Sequence, residues 1–156
     1  MIILQKIMVL GVGNILREDE GVGIHATQAL SRRELPPNVE ILEGGTAGIE
    51  LLHLIEEVDH LVVIDAMDAK AEPGAIFKFQ PGDVSVFPDN FGMSFHQVGL
   101  LEVLNMAKIL DKLPETMIFG IQPQSMDWGL ELTPALEAKL PRLLDLVEDY
   151  IKEINS

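Results

Sequence analysis

Cysteine is absent from this sequence of 156 residues, which excludes disulfide bonds, thiolate metal ligands and a cysteine nucleophile. No apolar run reaches the roughly 20 residues that a membrane-spanning helix needs, so we expect no membrane partner. The apolar N-terminus MIILQKIMVL is interrupted by Lys6 and lacks a small-residue cleavage site, which favours a first strand over a signal peptide. Without an export signal, we expect a cytoplasmic protein.

Positive charge is also scarce, because 11 lysines and arginines face 25 aspartates and glutamates, for a net charge of −14. Nucleic acid and anionic lipid surfaces both attract cationic faces, so neither is an expected partner. Hydrophobic residues make up 47% of the chain and charged residues 23%, as is typical of a soluble globular protein. The length fits one domain, residues 1–156.

Apolar runs alternate with amphipathic stretches, which predicts a single-domain α/β fold with a mixed, mostly parallel five-stranded sheet and helices on both faces. The connection between LVVID and AIFKF is shorter than the dozen or so residues of a parallel crossover, so AIFKF is predicted to be antiparallel. PGDVSVFPDNFG is predicted to be a loop, and Ser94 to cap the next helix. The last helix is predicted to start at Thr133-Pro134, and Pro141 to kink or restart it.

Three side chains with ligand chemistry are predicted to meet at one edge of this sheet. Glu20 follows the first strand, Asp65 ends the run LVVID, and His96 begins a helix that should start at the same edge. Two carboxylates and one imidazole suit zinc or nickel and leave positions open for a substrate. The residues alone leave an alternative open, since such an aspartate is often a cap or salt-bridge partner and such a histidine a surface residue.

The glycine-rich stretch GVGNILREDEGVG admits a second reading as a nucleotide loop. A dinucleotide fingerprint requires glycine where Leu16 stands, and the acidic residues of the loop would repel a pyrophosphate. A nucleotide-binding α/β module therefore remains an alternative with a weak motif. Of the other histidines, His53 and His60 are expected to face solvent, and His25 lies near the loop, where it would contact the site only indirectly.

The same stretch resembles the N-terminal signature of the hydrogenase maturation endopeptidases, G-x-G-N-x-L-x-x-D-[DE]-G-x-G. EGGTAGIELL is similar to the D-G-G-T-x-G-x-x-L-L segment of that family, with Glu43 in place of the usual aspartate. VVIDAMD and SFHQVGL are similar to the segments that carry the family's second and third site residues. FGIQP and LTPALEAKLP extend the resemblance over essentially the whole chain.

The resemblance implies an endopeptidase that removes a short C-terminal extension from the precursor of a [NiFe] hydrogenase large subunit after nickel has been inserted. It also implies that Glu20, Asp65 and His96 contact the metal. The nickel would belong to the substrate, and zinc or cadmium would replace it in crystals. Segment 44–46 (Gly44, Gly45 and Thr46) would contact the substrate.

Metal-assisted hydrolysis is the mechanism expected from this resemblance, with Asp65 or Glu20 as the catalytic base. The glycines would let an acidic turn approach a cation and an extended peptide. Asp19 is expected to orient the turn through backbone N–H bonds while Glu20 points at the ion. A nickel-binding maturation chaperone without peptidase activity is an alternative from the same residues.

Overall fold

A computed structural model describes residues 5–45, 50–86 and 95–156, and the side chains of residues 84–86 and 95–101 lie outside that description. The strands are β1 (Ile7–Val12), β2 (Val39–Gly45), β3 (His60–Ala66), β4 (Ile76–Phe79) and β5 (Glu115–Ile121). The helices are α1 (Val22–Leu30), α2 (Leu51–Ile55), α3 (Phe95–Ile109) and α4 (Pro134–Asn155). Two short 3₁₀ helices span Glu18–Gly21 and Pro81–Val86.

The five strands form one sheet in the order β2-β1-β3-β5-β4. β1 pairs in parallel with β2 and β3, and β3 pairs in parallel with β5. β4 pairs antiparallel with β5, as the short connection before it predicts. The predicted fold class, with its mixed and mostly parallel sheet, is therefore confirmed.

Side chains of the central strands alternate between two apolar layers, because successive residues of a strand point to opposite faces of the sheet. In β3, Val62 and Ile64 pack with α1 and α4, whereas Leu61 and Val63 pack with α2 and α3. Helices thus cover both faces, and the inner strands are buried along their length. Asp65 follows Leu61 and Val63 in the alternation, which assigns it to the face covered by α2 and α3.

Several boundaries differ from the sequence predictions. The segment predicted as a loop after β4 contains the 3₁₀ helix Pro81–Val86. α4 begins at Pro134 with Thr133 as its N-cap, as predicted, but it continues through Pro141 without restarting. The predicted cap Ser94 lies outside the described residues. Within the described parts of the chain, no helix is both long and apolar enough to cross a membrane.

Candidate active site

Asp65 is a buried carboxyl group at the carboxyl end of β3. Its Oδ1 accepts a hydrogen bond of 2.8 Å from the backbone N–H of Ala66, while Oδ2 is buried and has no hydrogen-bond partner among the described residues. Burial raises the pKa of Asp65 well above its ordinary value, and the charge of Glu20 raises it further against the opposing bond from Ala66. Buried oxygens left without a partner are costly and therefore rare, so Asp65 is a candidate for function.

Glu20 reaches the same place from the neighbouring strand. It follows β1 in the 3₁₀ helix Glu18–Gly21 and is largely buried, with Oε2 lying 3.6 Å from Nε of Arg17. It is close enough for its charge to raise the pKa of Asp65. The sheet topology thus brings together two of the three predicted site residues from segments 45 positions apart in the sequence.

Gly13 explains why the loop before Glu20 requires glycine. Its φ is +135°, a backbone conformation that side chains rarely permit, and a Cβ placed there would overlap the carbonyl oxygen of Glu20. The loop can therefore fold back against the 3₁₀ helix that carries Glu20. In the described structure, glycine at position 13 allows the loop to pack closely on the backbone of the acidic turn.

Asp19 anchors that turn to a distant loop. The fully buried carboxylate accepts hydrogen bonds from the backbone N–H groups of Gln124, Ser125 and Thr133 at 2.8, 3.1 and 2.8 Å, and one of 2.7 Å from the Thr133 hydroxyl. The prediction that Asp19 accepts backbone N–H bonds is confirmed, although the donors lie more than a hundred residues away. The Thr133 hydroxyl donates to Asp19 and makes no capping hydrogen bond to α4.

We expect Asp19→Ala to lower the free energy of unfolding by about 3 kcal/mol or more, because it removes a fully buried carboxylate and leaves its partly buried donors without that acceptor. Asp19 holds the turn that positions Glu20, so any activity of this site should fall as well. Urea denaturation and an activity assay would measure both effects. Asp127→Ala is the matched control from the same loop, where the carboxylate is exposed and the change should stay within about 0.5 kcal/mol. Equal stability of the two variants would contradict the anchoring role.

The remaining predicted site residues are only partly described. Gly44 and Gly45 end β2 at the same edge of the sheet as Asp65, next to an irregularity in the β1–β2 register. Thr46 lies outside the described residues, and so does the side chain of His96, whose backbone forms the first turn of α3. Among the described side chains no group of three forms a metal site, so metal binding by all three residues stays a prediction.

The other histidines lie elsewhere. His53 is exposed on α2, as predicted, with Nδ1 3.7 Å from Oε1 of Glu56. His60 begins β3 and therefore lies at the amino edge of the sheet, away from Asp65. It is half-buried and its Nε2 lies 2.9 Å from Oε1 of Gln5, so the prediction that it faces solvent is wrong. His25 in α1 is half-buried, and its Nε2 has no hydrogen-bond partner among the described residues.

Two polar residues near the site were not predicted from the sequence. Gln122 follows β5 and organises the loop after β3: its Oε1 accepts from the N–H groups of Ala69 and Ala71, and its Nε2 donates to Asp68. Arg17 contacts Glu20 and donates from Nε to the carbonyl of Met126. A glutamine directly after an apolar strand at the ligand-binding edge is a signal that could have identified Gln122. Met126, whose carbonyl accepts from Arg17, lies too far along the chain for any local pattern to indicate the contact.

Comparison with known proteins reveals similarity along most of the chain. The family model described as "Hydrogenase maturation protease" matches residues 24–150. The chain is 38% identical over 151 residues to the hydrogenase 2 maturation protease of Escherichia coli, covering 95% of this chain and 92% of that protein. It is 40% identical over 151 residues to the hydrogenase expression/formation protein HupD of Bradyrhizobium diazoefficiens, covering 95% and 79%.

Solved structures agree with these matches. The hydrogenase maturating endopeptidase HybD from E. coli superposes with a TM-score of 0.87 at 38% identity, covering 95% of this chain and 93% of that one. The [NiFe] hydrogenase maturation protease HybD from Thermococcus kodakarensis gives a TM-score of 0.79 at 26% identity, covering 93% and 98%. These similarities do not favour the nucleotide-binding interpretation of the glycine-rich loop.

Proposed function

Since this chain belongs to the hydrogenase maturation protease family, we propose that it removes the C-terminal extension from the nickel-loaded precursor of a [NiFe] hydrogenase large subunit. The observation that carries the proposal is the pair of buried carboxyl groups, Glu20 and Asp65, at the carboxyl edge of the sheet. In open α/β sheets this edge is where ligands bind. The nickel enters as part of the substrate.

The donor chemistry of this edge suits a divalent cation. Oδ2 of Asp65 is a buried oxygen for which the described residues provide no donor, and a cation would supply the missing partner. Glu20 adds a second carboxylate from the neighbouring strand. Oxygen donors combined with one imidazole match the preferences of zinc and nickel.

The backbone of α3 supports His96 as the third ligand. Nζ of Lys112, just after α3 ends, lies 3.4 Å from Oε2 of Glu56. The N–H of Glu115, which begins β5, donates to the carbonyl of Asp59, which directly precedes β3. The C-terminal end of α3 therefore lies near the amino edge of the sheet. α3 packs along the face to which the strand alternation assigns Asp65. A helix of 15 residues is about 22 Å long, comparable with the strands it covers, so its first turn reaches toward the carboxyl edge.

Peptide hydrolysis at this edge requires water to attack the scissile carbonyl carbon, the C–N bond to break, and the proton from water to reach the leaving amine. Glu20 or Asp65 accepts that proton and returns it to the amine, which is general acid–base catalysis by a carboxylate. The substrate's nickel supplies Lewis-acid polarisation of the carbonyl or the water. Gly44 and Gly45 end the edge strand β2, and an edge strand is where an extended peptide can add as a further strand.

We expect chelator-treated enzyme to cleave the nickel-loaded precursor, because the metal needed for recognition comes with the substrate. Two carboxylates and one imidazole also form an open set that should hold free metal less firmly than a closed four-ligand site. The nickel-free precursor should resist even untreated enzyme. Gel electrophoresis and mass spectrometry of the precursor would detect the loss of its C-terminal extension. Efficient cleavage of the nickel-free form would contradict the role proposed for nickel.

Site variants provide the controls for this assay. Glu20→Gln and His96→Ala should retain the circular dichroism of the wild type and lose processing. His53→Ala and His60→Ala should process normally, because these side chains lie on α2 and at the amino end of β3. Nickel binding without cleavage by the wild type would indicate a maturation chaperone in place of a peptidase.

A further inference from the structure

Three exposed apolar side chains lie on two chain segments that are joined beside the acidic turn. Leu16, Trp128 and Leu130 are 51%, 74% and 65% exposed, and we call them the Trp128 patch. Their two segments are joined at Gly129, whose N–H donates to the carbonyl of Leu16 at 2.9 Å and whose carbonyl accepts from the N–H of Glu18 at 2.9 Å. Grouped exposed apolar side chains rimmed by polar residues are typical of interaction surfaces.

Arg17 connects the Trp128 patch with the candidate active site. Its guanidinium carbon lies 5.2 Å from the centroid of the Trp128 ring, within the range of a cation–π contact. Its Nε lies 3.6 Å from Oε2 of Glu20. A molecule bound on Trp128 would therefore be separated by the Arg17 side chain from the Glu20 carboxylate, which is proposed to contact the substrate.

The Trp128 patch is also held in place before any partner binds. Asp19 ties the loop that carries it to the acidic turn through Gln124, Ser125 and Thr133. Arg17 donates to the carbonyl of Met126 at 3.0 Å in the same loop. An ordered surface loses less conformational freedom on association than a loose one, which favours a binding role.

We propose that the Trp128 patch docks the folded body of the hydrogenase large-subunit precursor while its C-terminal extension reaches Glu20 and Asp65. This inference rests on the proposed function and identifies where the substrate protein is recognised outside the scissile peptide. The continuity from Trp128 through Arg17 to Glu20 assigns the surface to the substrate. A second copy of this chain is a less suitable occupant, because each copy carries a net charge of −14 and the two would repel each other.

The test compares Trp128→Ala and Leu130→Ser with the wild type on the nickel-loaded precursor. Tryptophan is among the residues that contribute most to the binding energy of protein interfaces, so KM should rise about tenfold or more for Trp128→Ala. The value of kcat at saturation should stay within about twofold, because the patch acts in binding and not in the chemical step. Ile109→Ser is the matched control: Ile109 is 83% exposed near the opposite edge of the sheet, and both constants should be unchanged.

A second measurement does not depend on activity. Trp128 is the chain's single tryptophan, so protein labelled with 5-fluorotryptophan has one ¹⁹F resonance that reports on the patch. Adding nickel-loaded precursor to labelled Asp65→Asn enzyme should change its chemical shift. An unchanged shift, with binding established by co-sedimentation, would overturn the docking proposal.

The outcomes separate this inference from the proposed function. If the wild type does not cleave the precursor, the proposed function fails first. If the wild type cleaves and Trp128→Ala has the KM of the wild type, only the docking surface is overturned. A loss of kcat at constant KM would also overturn it, because the patch would then act by positioning Glu20 through Arg17. A wild-type dimer that Trp128→Ala converts to a monomer would assign the surface to self-association instead.

Discussion

Replacing Asp65 with asparagine is expected to abolish processing and, at neutral pH, to raise the free energy of unfolding. The carboxyl group is buried beside Glu20, and its Oδ2 has no hydrogen-bond partner among the described residues. An asparagine keeps the acceptor for the N–H of Ala66 and removes a buried ionisable group. The amide nitrogen that replaces Oδ2 gains no partner in the described part of the chain, so the expected gain comes from removing a carboxyl group whose ionised form is disfavoured by burial. Gains in stability on removal of a functional group are a common result at active sites.

The effect of Asp65→Asn should depend on pH in a defined direction. Burial and the charge of Glu20 raise the pKa of Asp65 above the value of 3.8 that applies to the unfolded chain. Between these two pKa values the folded protein holds a proton that the unfolded chain has lost, so the wild type loses stability as the pH rises through this window. The stability advantage of Asp65→Asn should therefore be smallest below the unfolded pKa and largest above the folded pKa.

Urea denaturation of wild type and Asp65→Asn, from below the unfolded pKa of 3.8 up to about pH 8, would measure this advantage. Asp127→Asn serves as the matched control, since Asp127 is exposed and its replacement should have the same small effect at every pH. A destabilised Asp65→Asn protein would mean that the carboxylate is a structural acceptor. Cleavage at the wild-type rate would remove Asp65 from the catalytic machinery.

The sheet could be predicted from the sequence because its signals are local. The apolar runs of β3 and β5 are long enough to identify central strands, and the short connection before β4 allows only an antiparallel partner. Helix ends were harder to predict, since short helices depend on packing more than on propensity. α2 has five residues and the 3₁₀ helix Pro81–Val86 has six, both within the range where local patterns decide little.

The candidate site was predictable only to the extent that topology determines it. Glu20 follows β1 and Asp65 lies at the carboxyl end of the adjacent parallel strand β3, so the order of the strands is sufficient to bring them together. The contacts that hold them are of another kind. Asp19 meets Gln124 and Thr133, and Arg17 meets Trp128, across more than a hundred residues of sequence. No periodicity or spacing encodes such pairs, because each depends on how two loops pack once the sheet has formed.

The second large effect is expected at the start of α1, where Gly23→Ala should lower the free energy of unfolding by about 3 kcal/mol or more. A Cβ at this position would overlap the carbonyl oxygens of Ile64 and Val12 and would lie 2.7 Å from the N atom of Val12. These are backbone atoms of β3 and β1, so no side-chain rotation can relieve the overlap and the whole helix must move outward. Overpacking against rigid neighbours typically costs 1–3 kcal/mol and sometimes more.

Because α1 follows directly on the 3₁₀ helix that carries Glu20, its displacement should also reduce processing. Thermal unfolding followed by circular dichroism should detect a fall in Tm of about 6 to 12 °C for a chain of this size. Gly82→Ala is the matched control, since a Cβ there meets no atom of the described residues within 4 Å and stability should change by less than about 1 kcal/mol. If Gly23→Ala and Gly82→Ala have the same Tm, close packing of α1 on β1 and β3 is not the reason for glycine at position 23. Alanine at position 23 would then have to be accommodated by a shift of α1 that leaves Glu20 beside Asp65, which unchanged cleavage of the nickel-loaded precursor would reveal.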